Sequence, residues 1–187
     1  YEFGYYSEDM LTSMIRELYK TALENPVKTK DECIKWLRNS ILSEDQKEQV
    51  KFIYHTTGTY AVLEGYKSFK FNKPEDFIKE YTAELHLVDY NYRKAVIAFD
   101  KVRDRLYEFE DEALSVFNTL NQKYDRFLIE INVEWQQALN DQKFNYHHLD
   151  VDKQFDFYNK NLLSFDYKIV VIISDALRYE LGYELYN

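Results

Sequence analysis

The sequence predicts a mainly α-helical protein: a helical bundle with a long helical hairpin, followed by one C-terminal βα unit. Three observations carry this. First, the 187 residues include only 4 glycines and 2 prolines, about 3%, where an average protein carries about 12% of the two together. Hairpin-rich β folds need many such turn residues, which argues against a sandwich, barrel or propeller. Second, apolar residues step by three and four through residues 85–138, the period of a helix. Third, residues Tyr167 to Ile173 are a β-branched run without polar alternation, the mark of a strand buried on both faces.

The elements follow in order. Residues 1–7 are aromatic, contain Gly4, and read as a lead-in. Ser7 can cap a first helix whose opening turn carries Glu8 and Asp9, the charge sign that the N-terminal dipole favours. Leu11, Met14, Ile15, Leu18 and Ala22 follow at helical spacing, and Pro26 ends that helix or follows its end. Thr29 with Glu32, and Ser43 with Gln46, read as capping boxes opening short amphipathic segments. Gly58 and Gly65 read as turns around the next short helix, and Pro74 with Glu75 and Asp76 as a helix start.

Leu85, Val88, Tyr92, Ala95, Phe99, Val102, Leu106 and Phe109 form one apolar seam. Ala113, Phe117, Leu120, Tyr124, Phe127, Ile131, Trp135 and Ala138 form a second. Neither Gly nor Pro interrupts residues 75–181. A single helix over 75–138 would reach roughly 90 Å; two antiparallel helices give each seam a partner. Their break is expected near the acidic patch Glu108, Glu110, Asp111 and Glu112. Residues 140–150 read as a polar loop, then a short helix carries Phe155, Phe157, Tyr158 and Leu162. After the strand, Ser174-Asp175 is expected to cap a last helix through Leu177, Leu181 and Leu185.

Composition bounds function. Hydrophobic residues make up 45% and aromatics 18%, enough for a core. The net charge of -9 is opposite to that of proteins that wrap nucleic acid, so direct nucleic-acid binding by this acidic chain is not expected. No run approaches the roughly 20 apolar residues of a spanning helix, so no membrane partner is expected. The single cysteine, Cys33, fits a reducing, cytoplasmic setting and reads as a small core residue. The chain starts at Tyr1 and stops at Asn187 inside a helical pattern, and so reads as a piece of a longer protein. No Gly-rich phosphate loop is present.

The strand–helix junction holds the candidate chemistry. Asp175 stands at the C-terminal end of its strand, where open α/β sheets bind ligands, and a carboxylate there suits a divalent metal. Arg178, three residues on, has the fork that pairs with phosphate oxygens. The plainer alternative is an N-cap for Asp175 and an ion pair for Arg178. His147-His148 reads as a loop pair without ligand spacing, and His55 and His86 as isolated edge groups. Arg93, Lys94, Lys101, Arg103 and Arg105 interleave with Asp89, Asp100 and Asp104, so ion pairs along one helix are expected.

Residues 168–185, KIVVIISDALRYELGYEL, resemble the opening of the PglZ domain, a branch of the alkaline phosphatase superfamily. YNYRK at 90–94, and the spacing of Tyr124, Phe127, Leu128 and Trp135, are similar to the helical region before that domain in large, type-A PglZ proteins. The resemblance divides the chain into a helical region, 1–150, and the start of a truncated PglZ domain, 151–187. It implies a parent in the BREX phage-resistance systems, with other BREX proteins as partners. That parent would be a metal-dependent phosphatase or phosphodiesterase using zinc or another divalent metal. Asp175 matches the metal-binding Asp after the first core strand. The nucleophile is expected beyond Asn187, so this chain alone is expected to be inactive and metal-free. Arg178 also matches the family pattern. The competing readings are a non-catalytic scaffold of a defence complex and an unrelated coiled-coil interaction domain.

Overall fold

The structure is a computed structural model that describes residues 7–38, 41–106, 109–143, 147, 149–175 and 177–187. The lead-in 1–6, Glu108, His148 and Ala176 lie outside the described residues. The described residues form seven α-helices and no strand: α1 (Glu8–Thr21), α2 (Pro26–Leu37), α3 (Glu44–Glu64), α4 (Pro74–Glu80), α5 (His86–Val102), α6 (Glu110–Asp141) and α7 (Tyr179–Tyr186).

Local signals start most helices. The Ser7 side chain accepts from Met10 N–H at the head of α1. Ser43 and Gln46 exchange both bonds of a capping box, and Pro74 opens α4 with Glu75 and Asp76 in its first turn. Pro26 follows the end of α1, as expected, and begins α2 with Asn25 as cap. Two expectations fail. Thr29 is therefore inside that helix, buried, and donates to the Thr21 carbonyl at 3.0 Å, so it caps nothing. Gly58 makes no turn; it lies within the 21 residues of α3. A Cβ there would stand 2.7 Å from Asn91 Oδ1, so its bare backbone lets α5 approach.

α3 and α5 run antiparallel, since Phe52 meets Phe99 and His55 meets Asn91. The two seams also fold back on each other. Tyr92 stacks on Tyr124 with centroids 3.6 Å apart and Phe99 on Phe117 at 4.0 Å. These pairings make α5 and α6 the antiparallel hairpin. Its break falls between Val102 and Glu110, beside the acidic patch. Glu110, Asp111 and Glu112 form the first turn of α6, where the dipole favours them; Glu112 also accepts from Arg16 at 3.2 Å. The core is continuous aromatic and aliphatic packing among α1, α2, α3, α5 and α6. A second cluster around Leu85, Val88 and Phe127 closes its far end.

The C-terminal βα unit is not formed. Residues 168–174 have no regular structure, and Val170, Ile172 and Ile173 are 86%, 88% and 84% exposed. A strand satisfies its backbone groups through a neighbouring strand, and no second strand exists among the described residues. Ser174-Asp175 therefore caps nothing. α7 starts at Tyr179 with Arg178 in the cap position. The predicted helix around Phe155 to Leu162 is a short 3₁₀ turn, Gln154–Asp156, and a π turn, Tyr158–Leu162. Asn140 and Asp141, expected in the loop, complete α6.

Candidate functional site

The junction residues lie apart from one another in chemical role. Asp175 is exposed, and no group of three His, Cys, Asp or Glu gathers as a metal site among the described residues. One exposed carboxylate does not hold a divalent ion, which takes several oxygen or nitrogen ligands. The described residues therefore do not fit the metal that the resemblance implies, and no catalytic step runs through it here.

Arg178 faces the helical body instead. Its Nη2 lies 3.3 Å from Asp89 Oδ1 and donates to Tyr124 Oη at 3.4 Å; its Nε lies 3.1 Å from Glu180 Oε1. Asp89 is the hub. It is buried on α5 and also accepts from Tyr81 Oη at 2.5 Å and Tyr124 Oη at 2.6 Å. Burial first, then the bonds to Asp89, push both tyrosine hydroxyls above their ordinary range. A π turn, Tyr81–Leu85, brings this arrangement about. The wider turn sets the Tyr81 hydroxyl on Asp89 and the Tyr81 carbonyl 3.1 Å from His86 Nδ1. A carbonyl only accepts, so His86 Nδ1 carries the proton. His86 is buried, not an edge group, and its Nε2 has no hydrogen bond.

The cluster forms the charged wall of a cleft of about 290 Å³, whose other lining includes Phe77, Phe127, Ile131 and Trp135. A larger cleft of about 540 Å³ is lined by Phe77, Trp135, His147, Leu149 and Phe155 among others. Neither cleft is lined by Asp175.

The basic residues find partners across helices rather than along α5. Arg93 and Lys94 pair with Glu184, Lys101 with Glu48 at 3.2 Å, and Arg105 with Asp45 at 2.8 Å. Among the described residues of this cluster, only Arg103 forms local ion pairs, with Asp100 and Asp104. Lys94 and Arg93 hold the Glu184 carboxyl below the usual range. His55 Nδ1 donates to Asn91 Oδ1 at 3.0 Å, and burial lowers the His55 pKa. Cys33 is buried, and burial pushes its thiol up to about 12, which makes it an inert core residue.

Set beside known proteins, the chain is similar to the "Alkaline phosphatase-like protein PglZ" of Bacillus cereus (strain H3081.97). The two are 29% identical over 122 residues, 62% of this chain. The match spans 14% of that protein's length. No family model matches the chain, and no solved structure matches it. Among the described residues no helix is long and apolar enough to cross a membrane.

Sequence reasoning singled out Arg178 but missed its partner Asp89, and it missed Glu180 and Glu184 altogether. One signal was present. Tyr179, Glu180, Tyr183 and Glu184 repeat a Tyr-Glu pair at a spacing of four, which stacks them on one helix face.

Proposed function

We propose that this chain belongs to a PglZ-like protein, in which its helical body carries and orients the first segment of a phosphatase-like domain. The observation that supports this reading is the similarity to the Bacillus cereus PglZ protein over 122 residues. The sequence of residues 168–185 adds to it. In this reading residues 1–150 are a spacer or docking region, and residues 151–187 begin the catalytic domain. The exposed run 169–173 pairs as a strand only when the sheet of that domain is present. Asp175, at its end, then serves as one ligand of zinc or another divalent metal. The parent is a cytoplasmic metal-dependent hydrolase of a phosphate ester or diester, acting with other proteins of a BREX-type defence system.

Arg178 is assigned to attachment rather than to phosphate binding. Its guanidinium already faces two carboxylates and a tyrosine, which leaves little unbalanced positive charge for an anion.

The 187-residue chain is expected to show no hydrolysis of a generic phosphoester with added Zn²⁺; turnover there would overturn the division of labour. In the longer protein, Asp175→Ala is expected to abolish hydrolysis and phage restriction together. Restriction that survives Asp175→Ala without metal binding would favour a non-catalytic scaffold.

A further inference from the structure

α7 is attached to the body by charge. It has eight residues, too few for a helix to persist in water without a docking surface. Neither leucine is buried as deeply as the acid: Leu185 is 80% exposed and Leu181 half-buried, whereas Glu180 is fully buried. The face that meets α5 is Tyr179, Glu180, Tyr183 and Glu184. Glu184 accepts from both Arg93 and Lys94. Glu180 Oε1 lies 3.1 Å from Arg178 Nε and 4.0 Å from Arg93 Nε. The rings of Tyr179 and Tyr183 close on His86 with centroids at 5.1 and 4.6 Å. Arg178 adds its contact to Asp89 at 3.3 Å.

Glu180 decides how this contact behaves. Both of its oxygens, and Arg93 Nε, are buried without a well-formed hydrogen bond. The carboxylate is held by coulombic attraction to two guanidinium groups, and its burial is tolerable only while they face it. An apolar helix could slide or tilt on its seat. A buried carboxylate between two fixed cations has one position.

We propose that Glu180 and Glu184, facing Arg93, Lys94 and Arg178 with Asp89 behind, form a charge latch that couples the folding of α7 to its seat on α5. The surface formed by His86, Asp89, Arg93 and Lys94 is thus a receptor for one occupant, the Tyr-Glu-repeat helix of this same chain. Docked, α7 is helical and anchors the exposed segment 163–175 that precedes it. Undocked, α7 unfolds and that segment loses its anchor. The latch holds whether or not the chain belongs to a phosphatase.

Amide hydrogen exchange of residues 179–186 in the 187-residue chain tests this. Glu180→Gln and Glu184→Gln are each expected to speed exchange there by about tenfold or more, the size expected when one partner of a buried or half-buried pair is removed. Amides of α3 are expected to keep their rates. Arg93→Ala, made from the other side, is expected to have the same local effect. Leu185→Ala is expected to leave α7 protected. Unchanged protection in both glutamine variants would overturn the proposal. So would release of α7 by Leu185→Ala to the same extent, since the attachment would then be apolar. Both glutamine changes lie on α7, outside the bundle core, so they leave the bundle folded and the readout local.

Discussion

Gly58 and Asn91 show how closely one atom can decide a helix contact. Alanine is favoured over glycine in a helix by about 1 kcal/mol, so propensity alone makes Gly58→Ala stabilising. The new Cβ would stand 2.7 Å from Asn91 Oδ1. That side chain cannot swing away freely, because it bonds His55 Nδ1 and donates to the Leu87 carbonyl at 2.8 Å. Gly58→Ala is therefore expected to destabilise by about 1–3 kcal/mol, as overpacking does, measured by urea unfolding. In an Asn91→Ala background the sign is expected to reverse. Asp89 gives a second test at this scale. It accepts from a buried and a half-buried hydroxyl and faces a guanidinium, and Asp89→Asn is expected to cost about 1–3 kcal/mol. No change in the unfolding midpoint would remove Asp89 as the hub. Little of this was legible in the sequence. Arg93 and Lys94 stand beside Asp89 in α5, and local pairing was the natural reading. Their actual partner is Glu184, separated by 91 and 90 positions. A charge on a helix surface names its sign but not its distant partner.

Elements were legible where their causes are local. The Ser43–Gln46 box needs only residues three apart, and it forms as read. Ser43→Ala is expected to cost about 0.5–2 kcal/mol, as lost N-caps do, seen as a lower thermal midpoint; an unchanged midpoint would mean that α3 starts without its cap. The Thr29–Glu32 pair has the same pattern, yet Pro26 starts that helix earlier and uses Asn25 as its cap. Two start signals competed, and the proline with its preset φ won. The strand expected at 167–173 is not formed among the described residues for the opposite reason. Its composition is that of a buried strand, but a strand is a property of pairs, and the described residues offer no partner. The π turn before α5 had no signal in the 3–4 stepping, which runs through Leu85 and Val88 without a break.

At the scale of the molecule, the aromatic content has a consequence for pH. Burial raises the hydroxyl pKa of Tyr19, Tyr66, Tyr81 and Tyr124, aided by Glu112, Glu80 and Glu84, and Asp89. A pKa raised by folding contributes stability that is complete below the unfolded value, about 10 for tyrosine, and fades as pH climbs above it. Unfolding free energy is thus expected to hold between pH 8 and 9 and to fall by pH 11. Part of the tyrosinate absorbance should appear only as helical circular dichroism is lost. Equal stability at pH 8 and 11 would contradict the burial of these hydroxyls.

The hairpin of α5 and α6, read from two seams and an acidic break, is the largest feature that the sequence made legible, because periodicity over many turns outweighs any local accident. It presents α5 to α7, and α7 ends the segment that carries Asp175. Whether that segment belongs to a phosphatase-like metal site is the central question. Metal content answers it most directly, measured on the longer PglZ-like protein with and without Asp175→Ala. The expected result is a bound divalent metal in the parent and loss of at least one equivalent in the variant, with α1 to α7 still folded. Equal metal content in the two proteins would contradict the assignment of Asp175.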